Sequence, residues 1–143
     1  MIELKPSKHG YNDRKYLKLR GTGPWGEGEN LKLSLGETVV CGRSRHCDWS
    51  LKRTPTYLKA ERAERDELKK GVEFRSVSRQ HVRIAFLAPD MVDIENLSSN
   101  GTFVDGNRVD RIVLKDCETQ AHTIQLGPKG VVLELEPGSL PLG

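Results

Sequence analysis

The sequence predicts a single all-β domain built as an antiparallel β-sandwich. Its 143 residues lie in the size range of one domain. Apolar residues alternate with polar ones in a series of short runs, which is the pattern of strands that bury one face and expose the other. Turn residues separate these runs about every eight to twelve positions, without the alternation of strands and helices that a parallel α/β sheet requires.

Alternation marks most of the strands individually. The apolar positions that define them are, in chain order, Leu17 and Leu19; Leu31, Leu33 and Leu35; Val82, Ile84 and Phe86; Val92 and Ile94; Ile124 and Leu126; Leu133 and Leu135. The glycine-rich segment 21–28 separates the first two runs and predicts a loop. Residues 38–41 and 49–51 add two short apolar segments around a polar loop. Asp105-Gly106, between two β-prone runs, predicts a hairpin.

One segment breaks the strand pattern. Nine of the twelve residues 59–70 are charged, and Gly71 follows where a helix commonly takes a C-terminal glycine. We therefore predict a short charged helical insertion around residues 57–70. Because an isolated helix of this length is marginal in water, it has to pack on the few apolar residues available. These residues are Tyr57, Leu58 and Leu68. The insertion is either a solvated surface element or a helix that binds a partner or covers a site.

Composition and charge narrow the range of functions. The chain has 23 basic and 20 acidic residues, a balance too even for the one-signed surface of a nucleic-acid binder. No run approaches the roughly 20 apolar residues of a membrane span, and the start lacks the apolar core of a signal peptide. Three cysteines without a C-x-x-C pair predict buried thiols in a reducing compartment. We expect a cytoplasmic protein without a metal, a cofactor or a membrane partner.

Three polar clusters fall in predicted loops next to strands. They are Gly42-Arg43-Ser44-Arg45, Ser76-Val77-Ser78-Arg79-Gln80-His81 and Ser98-Ser99-Asn100-Gly101-Thr102. Guanidinium forks, hydroxyls and backbone N–H groups are what replaces the hydration shell of a phosphate. Positive charge is also concentrated there: residues 41–53 carry four Arg or Lys against one Asp, and residues 76–83 carry two Arg and no acidic residue. Their spacing alone does not bring the three clusters together.

The ordered set of three clusters closely resembles the forkhead-associated (FHA) domain. The resemblance rests on Gly42-Arg43, then Ser78-Arg79-Gln80-His81, then Ser99-Asn100-Gly101-Thr102, on a β-rich chain. It extends over residues 16–136, which leaves residues 1–15 as an N-terminal extension and 137–143 as a tail or linker to another part of a longer chain. The resemblance implies an eleven-stranded FHA/SMAD-like sandwich that binds phosphothreonine peptides with the loops at one end, in a phosphorylated partner protein.

The same resemblance implies a role for each motif residue. Arg43 would bind the phosphate through its guanidinium fork, Ser78 would donate its hydroxyl, and Arg79 and Ser99 would complete the phosphate shell. Asn100 would hold the peptide main chain. Three further residues would support the site structurally without contacting the ligand: Gly42, His81 and Gly101.

Each role has a local alternative. In the simplest alternative, Arg43 is a surface arginine in a turn. In the alternative for Arg79, its side chain points to solvent. Ser78 and Ser99 have hydroxyls short enough to cap their own loops. Asn100-Gly101 is first of all a common turn dipeptide, and holding a peptide would be its second role. These alternatives separate only when the loops are placed in space.

Rival functions follow from the same residues. Catalysis by Ser78 and His81 is disfavoured, because the chain has no G-x-S-x-G elbow and a serine three residues before a histidine rarely meets its ring. The stronger alternative is an assembly or scaffold module that keeps the fold and works independently of phosphate. Thr54-Pro55-Thr56 suggests a further hypothesis, in which a phosphorylated threonine engages the site of a neighbouring copy.

Overall fold

The computed structural model describes residues 15–138 as two β-sheets packed face to face. The strands are, in chain order, β1 Tyr16–Thr22, β2 Asn30–Ser34, β3 Thr38–Gly42, β4 Trp49–Ser50, β5 Val82–Ala88, β6 Met91–Asn96, β7 Thr102–Val104, β8 Asn107–Val109, β9 Arg111–Leu114, β10 His122–Leu126 and β11 Val132–Pro137. The predicted sandwich of eleven strands is confirmed. The proposed N-terminal extension and C-terminal tail lie almost entirely outside the described residues.

Strand order places sequence-distant segments side by side. One sheet has six strands in the order β2-β1-β11-β10-β7-β8, and the other has five in the order β4-β3-β5-β6-β9. Every pair is antiparallel except β3 with β4, which join through Cys41 opposite Trp49 and Gly42 opposite Ser50. After β3 the chain passes through residues 43–48 and re-enters the same sheet as β4, parallel to β3. The loop 43–48 is therefore anchored to the sheet at both ends.

Burial follows the alternation read from the sequence. In β1 and β5 every second residue is buried, as expected for strands with one face on the core. The largest fully buried side chains come from both sheets: Trp49, Phe86, Leu17, Leu19, Leu33, Leu51, Ile84, Ile94, Ile124, Leu126, Leu133 and Leu135. Cys41, Cys47 and Cys117 are buried free thiols, and burial raises the pKa of Cys117 to about 11. The prediction of buried thiols is confirmed.

The predicted hairpin at Asp105-Gly106 is present between β7 and β8. Asp105 has φ 50° and Gly106 has φ 87°. Two successive residues in the left-handed region are the requirement of a type I′ turn, and Asp-Gly meets it at little cost.

The insertion is helical, but its helices begin and end differently from the predicted segment. The structure has four short α-helices, α1 Gly23–Gly26, α2 Pro55–Arg62, α3 Asp66–Lys69 and α4 Val72–Arg75, and a 3-10 helix at Leu51–Arg53. Three of the α-helices, α2 to α4, lie between β4 and β5, where one helical segment around residues 57–70 was expected. The glycine-rich loop 21–28 is also shorter than expected, because it contains α1 and the last residues of β1.

Local chemistry explains these boundaries. Pro55 suits the first turn of a helix, and the Thr54 hydroxyl accepts the Tyr57 N–H at 3.3 Å, so α2 begins two residues earlier than expected. Glu64, at φ 55°, interrupts the helix after Arg62. Gly71 has φ -62° and precedes α4, so its expected role as a C-terminal cap is wrong.

The apolar contacts of the insertion are also partly different from those expected. Tyr57 is buried as predicted, whereas Leu58 is 39% exposed, and the side chain of Leu68 lies outside what the structure describes. Phe74 of α4 is buried instead. Within residues 15–138, no helix is long and apolar enough to cross a membrane.

The threonines of Thr54-Pro55-Thr56 are not freely presented. Thr54 is fully buried, and its hydroxyl donates to the Leu51 carbonyl at 2.9 Å. The Thr56 hydroxyl donates to the Pro24 carbonyl. A kinase would therefore need local unfolding to reach Thr54. Thr56 is the remaining candidate for a phosphothreonine that engages a neighbouring copy.

A histidine at the end of the sandwich away from residues 42–47 links two turns. His122 Nδ1 lies 2.6 Å from Asp105 Oδ2, and its Nε2 lies 2.7 Å from Asp116 Oδ1. Partial burial acts to lower the pKa of His122, but hydrogen bonds and charge from the two carboxylates raise it above the ordinary value of 6.5. The protonated ring therefore stabilises the fold.

We expect the stabilisation contributed by His122 to disappear as the pH rises. The pKa of His122 is higher in the folded than in the unfolded chain. The stabilisation is therefore complete below pH 6.5 and is lost as the pH rises through the folded pKa. The free energy of unfolding of the native chain minus that of His122→Asn, measured by urea denaturation from about pH 5 upward, should fall with pH. Titration of His81 is common to both proteins and cancels in this difference. A difference that is flat or rises over this range would contradict the account.

Candidate anion-binding site

The strand topology brings all three polar clusters to one end of the sandwich. β3 and β5 are antiparallel neighbours, so the end of β3 at Gly42 lies next to the start of β5 at Val82. β6 is antiparallel to β5 and ends at Asn96, beside the same point, before the chain continues to β7. The loops 43–48, 76–81 and 97–101 therefore meet, although forty-eight residues separate the first from the last in the sequence.

Backbone hydrogen bonds join the first two loops directly. The N–H of Arg43 donates to the Ser78 carbonyl at 2.9 Å, and the N–H of Ser44 donates to the Arg79 carbonyl at 3.1 Å. Gly42 allows this approach, because a Cβ at that position would lie 2.2 Å from the Arg79 oxygen. Arg43 and Ser78 are consequently held side by side by their main chains.

His81 connects the second and third loops from the interior. It is fully buried; its Nδ1 accepts the Ser78 N–H at 3.0 Å, and its Nε2 lies 2.7 Å from the Gly101 carbonyl. Since Nδ1 is the acceptor, Nε2 carries the proton and donates to Gly101. Burial lowers the pKa of His81, and the weaker opposing effect of the Gly101 hydrogen bond leaves the ring neutral.

The third loop is fixed by short polar side chains. Ser98 Oγ accepts the Gly101 N–H at 2.9 Å and donates to Asn96 Oδ1 at 2.6 Å. Gly101 has φ 96°, which places it in the left-handed region. Asn100 Nδ2 donates to the Ser76 carbonyl at 3.2 Å, so Asn100 bridges to the second loop.

A concave cleft of about 630 Å³ opens beside the first two loops. Its lining residues are Arg43, Ser44, Arg45, His46, Lys52, Tyr57, Glu61, Phe74 and Arg79. Within residues 15–138, neither Arg43 nor Arg79 forms an ion pair with a carboxylate. The two guanidinium groups are therefore free to bind an anion in the cleft.

The predicted site residues divide into two groups. Arg43 and Arg79 line the cleft, whereas Ser78, Ser99 and Asn100 lie on the adjoining loops and are not among its lining residues. Ser78 is half-buried, and Ser99 and Asn100 are exposed. In the described part of the chain, the hydroxyls of Ser78 and Ser99 make no hydrogen bond, so local capping does not occupy them.

The insertion forms one wall of the cleft. The Arg43 guanidinium carbon lies 5.4 Å from the centroid of the Phe74 ring, within the range of a cation–π contact. Phe74 stacks on Tyr57 at 5.5 Å with an interplanar angle of 7° and meets Trp25 at 5.6 Å. Sequence reasoning missed this wall, because nothing in the composition of a charged insertion indicates where its few aromatic residues pack.

Arg53 is a second residue that the sequence did not single out. Its guanidinium donates to the carbonyls of Arg45 and Cys47 at 2.7 and 2.8 Å, and it pairs with the buried Glu29 at 2.8 Å. Arg53 thereby fixes the first loop from behind and is not available to a ligand. An arginine in a basic stretch gives no sign in sequence of which side of the loop it will occupy.

A family model for the FHA domain matches residues 39–119. That interval holds all eight predicted site residues and more than half of the chain. The chain belongs to the FHA domain family. FHA domains are non-catalytic binding modules, and the family typically binds phosphothreonine peptides.

Similar solved structures confirm the fold. The FHA domain of the CT664 protein from Chlamydia trachomatis has a TM-score of 0.58 and 22% identity, over 85% of this chain and 96% of that one. An FHA domain from Arabidopsis thaliana has a TM-score of 0.58 and 24% identity, over 90% and 91%. The yeast Dun1 FHA domain, solved with a doubly phosphorylated peptide derived from Rad53, has a TM-score of 0.56 and 21% identity, over 97% and 84%. Comparison with curated proteins gives no match.

Proposed function

We propose that this chain binds phosphothreonine peptides of a partner protein through the cleft between loops 43–48 and 76–81. The observation that carries the proposal is the placement of Arg43 and Arg79 in one open cleft, where no carboxylate of the described chain neutralises them. A phosphothreonine brings about -1.5 to -2 charges at neutral pH and three acceptor oxygens. Two guanidinium groups match that charge.

Five residues carry the recognition. Arg43 binds the phosphate through its fork, the free hydroxyls of Ser78 and Ser99 donate to it, and Arg79 adds a second positive charge. Asn100, exposed on the third loop, holds the peptide main chain. Gly42, His81 and Gly101 keep the loops in place. Support comes from the backbone hydrogen bonds that hold Arg43 beside Ser78 and from the bridge from Asn100 to Ser76.

Membership in the family supports the choice of ligand. The yeast Dun1 FHA domain was solved with a phosphothreonine peptide, and another similar structure concerns phosphothreonine-dependent FHA interactions. The partner of this chain is by the same reasoning a protein phosphorylated on threonine. We also infer that residues 16–136 form the binding module.

An oriented phosphothreonine peptide library tests the proposal. The expected result is selective retention of phosphorylated peptides over the same library with unmodified threonine, together with a preference for one or more flanking positions. A matched phosphoserine library should bind about 10-fold or more weakly if a small pocket accepts the threonine methyl group. Equal retention of phosphorylated and unmodified libraries would contradict the proposal and favour a phosphate-independent scaffold module.

Phe74→Leu should weaken phosphopeptide binding about 3- to 10-fold while leaving the fold intact. Leucine keeps the apolar contact with Tyr57 but removes the ring under Arg43, and a cation–π contact is worth roughly 0.5–2 kcal/mol. Phe103→Leu, on β7 and away from the cleft lining, is the matched control. Fluorescence anisotropy with a labelled phosphothreonine peptide measures the effect. Native affinity in Phe74→Leu would show that the aromatic wall does not position Arg43.

A further inference from the structure

A second cavity, of about 230 Å³, opens where α1, α4 and residues 130–132 before β11 meet. Its walls are mostly apolar, and Pro24, Trp25, Val131 and Val132 supply most of them. None of the residues proposed to bind phosphothreonine lines this cavity. It is therefore a concave site that the proposed function does not use.

Close packing fixes the helix that forms one wall of the cavity. A Cβ at Gly26 would lie 2.7 Å from Val131 Cγ1, so only glycine lets the end of α1 approach the start of β11 this closely. The Thr56 hydroxyl donates to the Pro24 carbonyl and ties α1 to α2. Because α1 is held from both sides, the cavity is formed before any ligand enters it.

Glu73 gives the cavity its charge. Among the described residues that line the cavity, it is the only charged one. It is exposed on α4, and its carboxylate forms no ion pair within residues 15–138. An aliphatic stem packs on apolar walls, and a cation is attracted both to an indole ring such as that of Trp25 and to a carboxylate. These three features together fit the side chain of lysine or arginine.

Phe74 connects this cavity to the cleft of the proposed phosphothreonine site. Its ring centroid lies 5.4 Å from the Arg43 guanidinium carbon and 5.6 Å from the centroid of the Trp25 ring. An extended peptide advances about 3.3–3.6 Å per residue, so a peptide anchored at Arg43 reaches the cavity within a few residues. The two sites have opposite charge, because Arg43 and Arg79 line the cleft and Glu73 lines the cavity.

We propose that the cavity between α1, α4 and residues 130–132 binds a lysine or arginine side chain of the same phosphothreonine peptide. The stem of that side chain packs against Trp25 and Val131, and its cationic head pairs with Glu73. This inference rests on the proposed function, because the phosphate anchors the peptide that brings the basic side chain to the cavity. Repulsion by Glu73 disfavours an acidic residue at the same position of the peptide.

Labelled peptides test the cavity in anisotropy titrations. The reference peptide contains one phosphothreonine in a neutral sequence, and three others carry lysine, norleucine or glutamate at one position, walked along either side of the phosphothreonine. At a favoured position, we expect lysine to tighten binding about 5-fold, norleucine to give a smaller gain because it lacks the charge, and glutamate to weaken binding. Equal gains from lysine and norleucine would show an apolar occupant and overturn the proposal, as would the lack of any gain from lysine.

Variants of the cavity then locate the effect. Glu73→Gln should remove the advantage of lysine over norleucine and leave the affinity for the neutral phosphopeptide nearly unchanged. Glu73→Lys should reverse the preference, so that the glutamate peptide binds more tightly than the lysine peptide. The matched controls are Glu67→Gln and Glu67→Lys, at an exposed position of α3 outside the cavity lining. A lysine advantage that persists in Glu73→Gln, or an equal reversal in Glu67→Lys, would overturn the proposal.

The outcomes separate this inference from the function on which it rests. Native binding of the neutral phosphopeptide with no preference for lysine at any position overturns the role of the cavity alone. Failure of every phosphopeptide to bind the folded chain overturns the proposed function and the role of the cavity together. A lysine advantage that is lost in Glu73→Gln and reversed in Glu73→Lys supports both.

Discussion

Arg43→Ala is expected to reduce the affinity for a phosphothreonine peptide at least about 100-fold. The substitution removes a guanidinium fork, and each hydrogen bond to a charged group contributes roughly 1.5–3 kcal/mol, so the loss of two amounts to about 3 kcal/mol or more. Arg43→Lys keeps the charge but not the fork, so its affinity for the peptide should lie between that of the native chain and that of Arg43→Ala. Fluorescence anisotropy with a labelled phosphopeptide measures the affinity, and circular dichroism checks the fold.

The control for this experiment is Arg111→Ala. Arg111 lies on the edge strand β9, is 64% exposed and pairs with Asp93 at 2.8 Å, so its removal should change stability by less than about 1 kcal/mol. It removes the same charge from the chain without touching the cleft. If the two variants weaken binding equally, the role of Arg43 would reduce to its contribution to net charge.

His81→Ala is expected to cost about 3–5 kcal/mol of the free energy of unfolding. The Ser78 N–H and the Gly101 carbonyl both lose their partner in a buried position, and each unsatisfied group costs roughly 1–3 kcal/mol in addition to the cavity. This is a large fraction of the stability of a small domain. Urea denaturation measures it, and native-state hydrogen exchange shows whether the amides of loops 76–81 and 97–101 lose protection first.

His46→Ala is the matched control for stability. His46 is exposed, so the substitution should alter the free energy of unfolding by no more than about 0.5 kcal/mol. If His81→Ala is as stable as His46→Ala, the buried histidine would not be what connects the two loops.

Fold class was predictable because strand alternation is a local property. Leu17 and Leu19, or Ile84 and Phe86, report in sequence which face of a strand is buried, and the structure buries each of them. Asp105-Gly106 specified its turn through backbone conformation alone. The bounds of the helices in the insertion were harder to predict, because charge composition does not reveal the capping bond at Thr54 or the positive φ of Glu64.

The sequence identified the site residues through their motifs, but it did not show how these residues are arranged in space. Gly42-Arg43 and Ser78-Arg79 are recognisable by type, but only the antiparallel pairing of β3 with β5 joins their loops. The contact between Arg43 and Phe74 links two positions thirty-one residues apart, and Phe74 lies in a segment that holds none of the motif residues on which the family resemblance rests. The ion pair between Arg45 and Glu61, sixteen residues apart, likewise depends on where α2 packs.

Chemical-shift mapping tests the central claim most directly. In two-dimensional amide spectra of the labelled chain, addition of a phosphothreonine peptide is expected to shift the amides of loops 43–48, 76–81 and 97–101. The same peptide with unmodified threonine should leave these amides unchanged. Shifts confined to the outer faces of the sheets, or identical shifts with both peptides, would contradict recognition of phosphothreonine at this end of the sandwich.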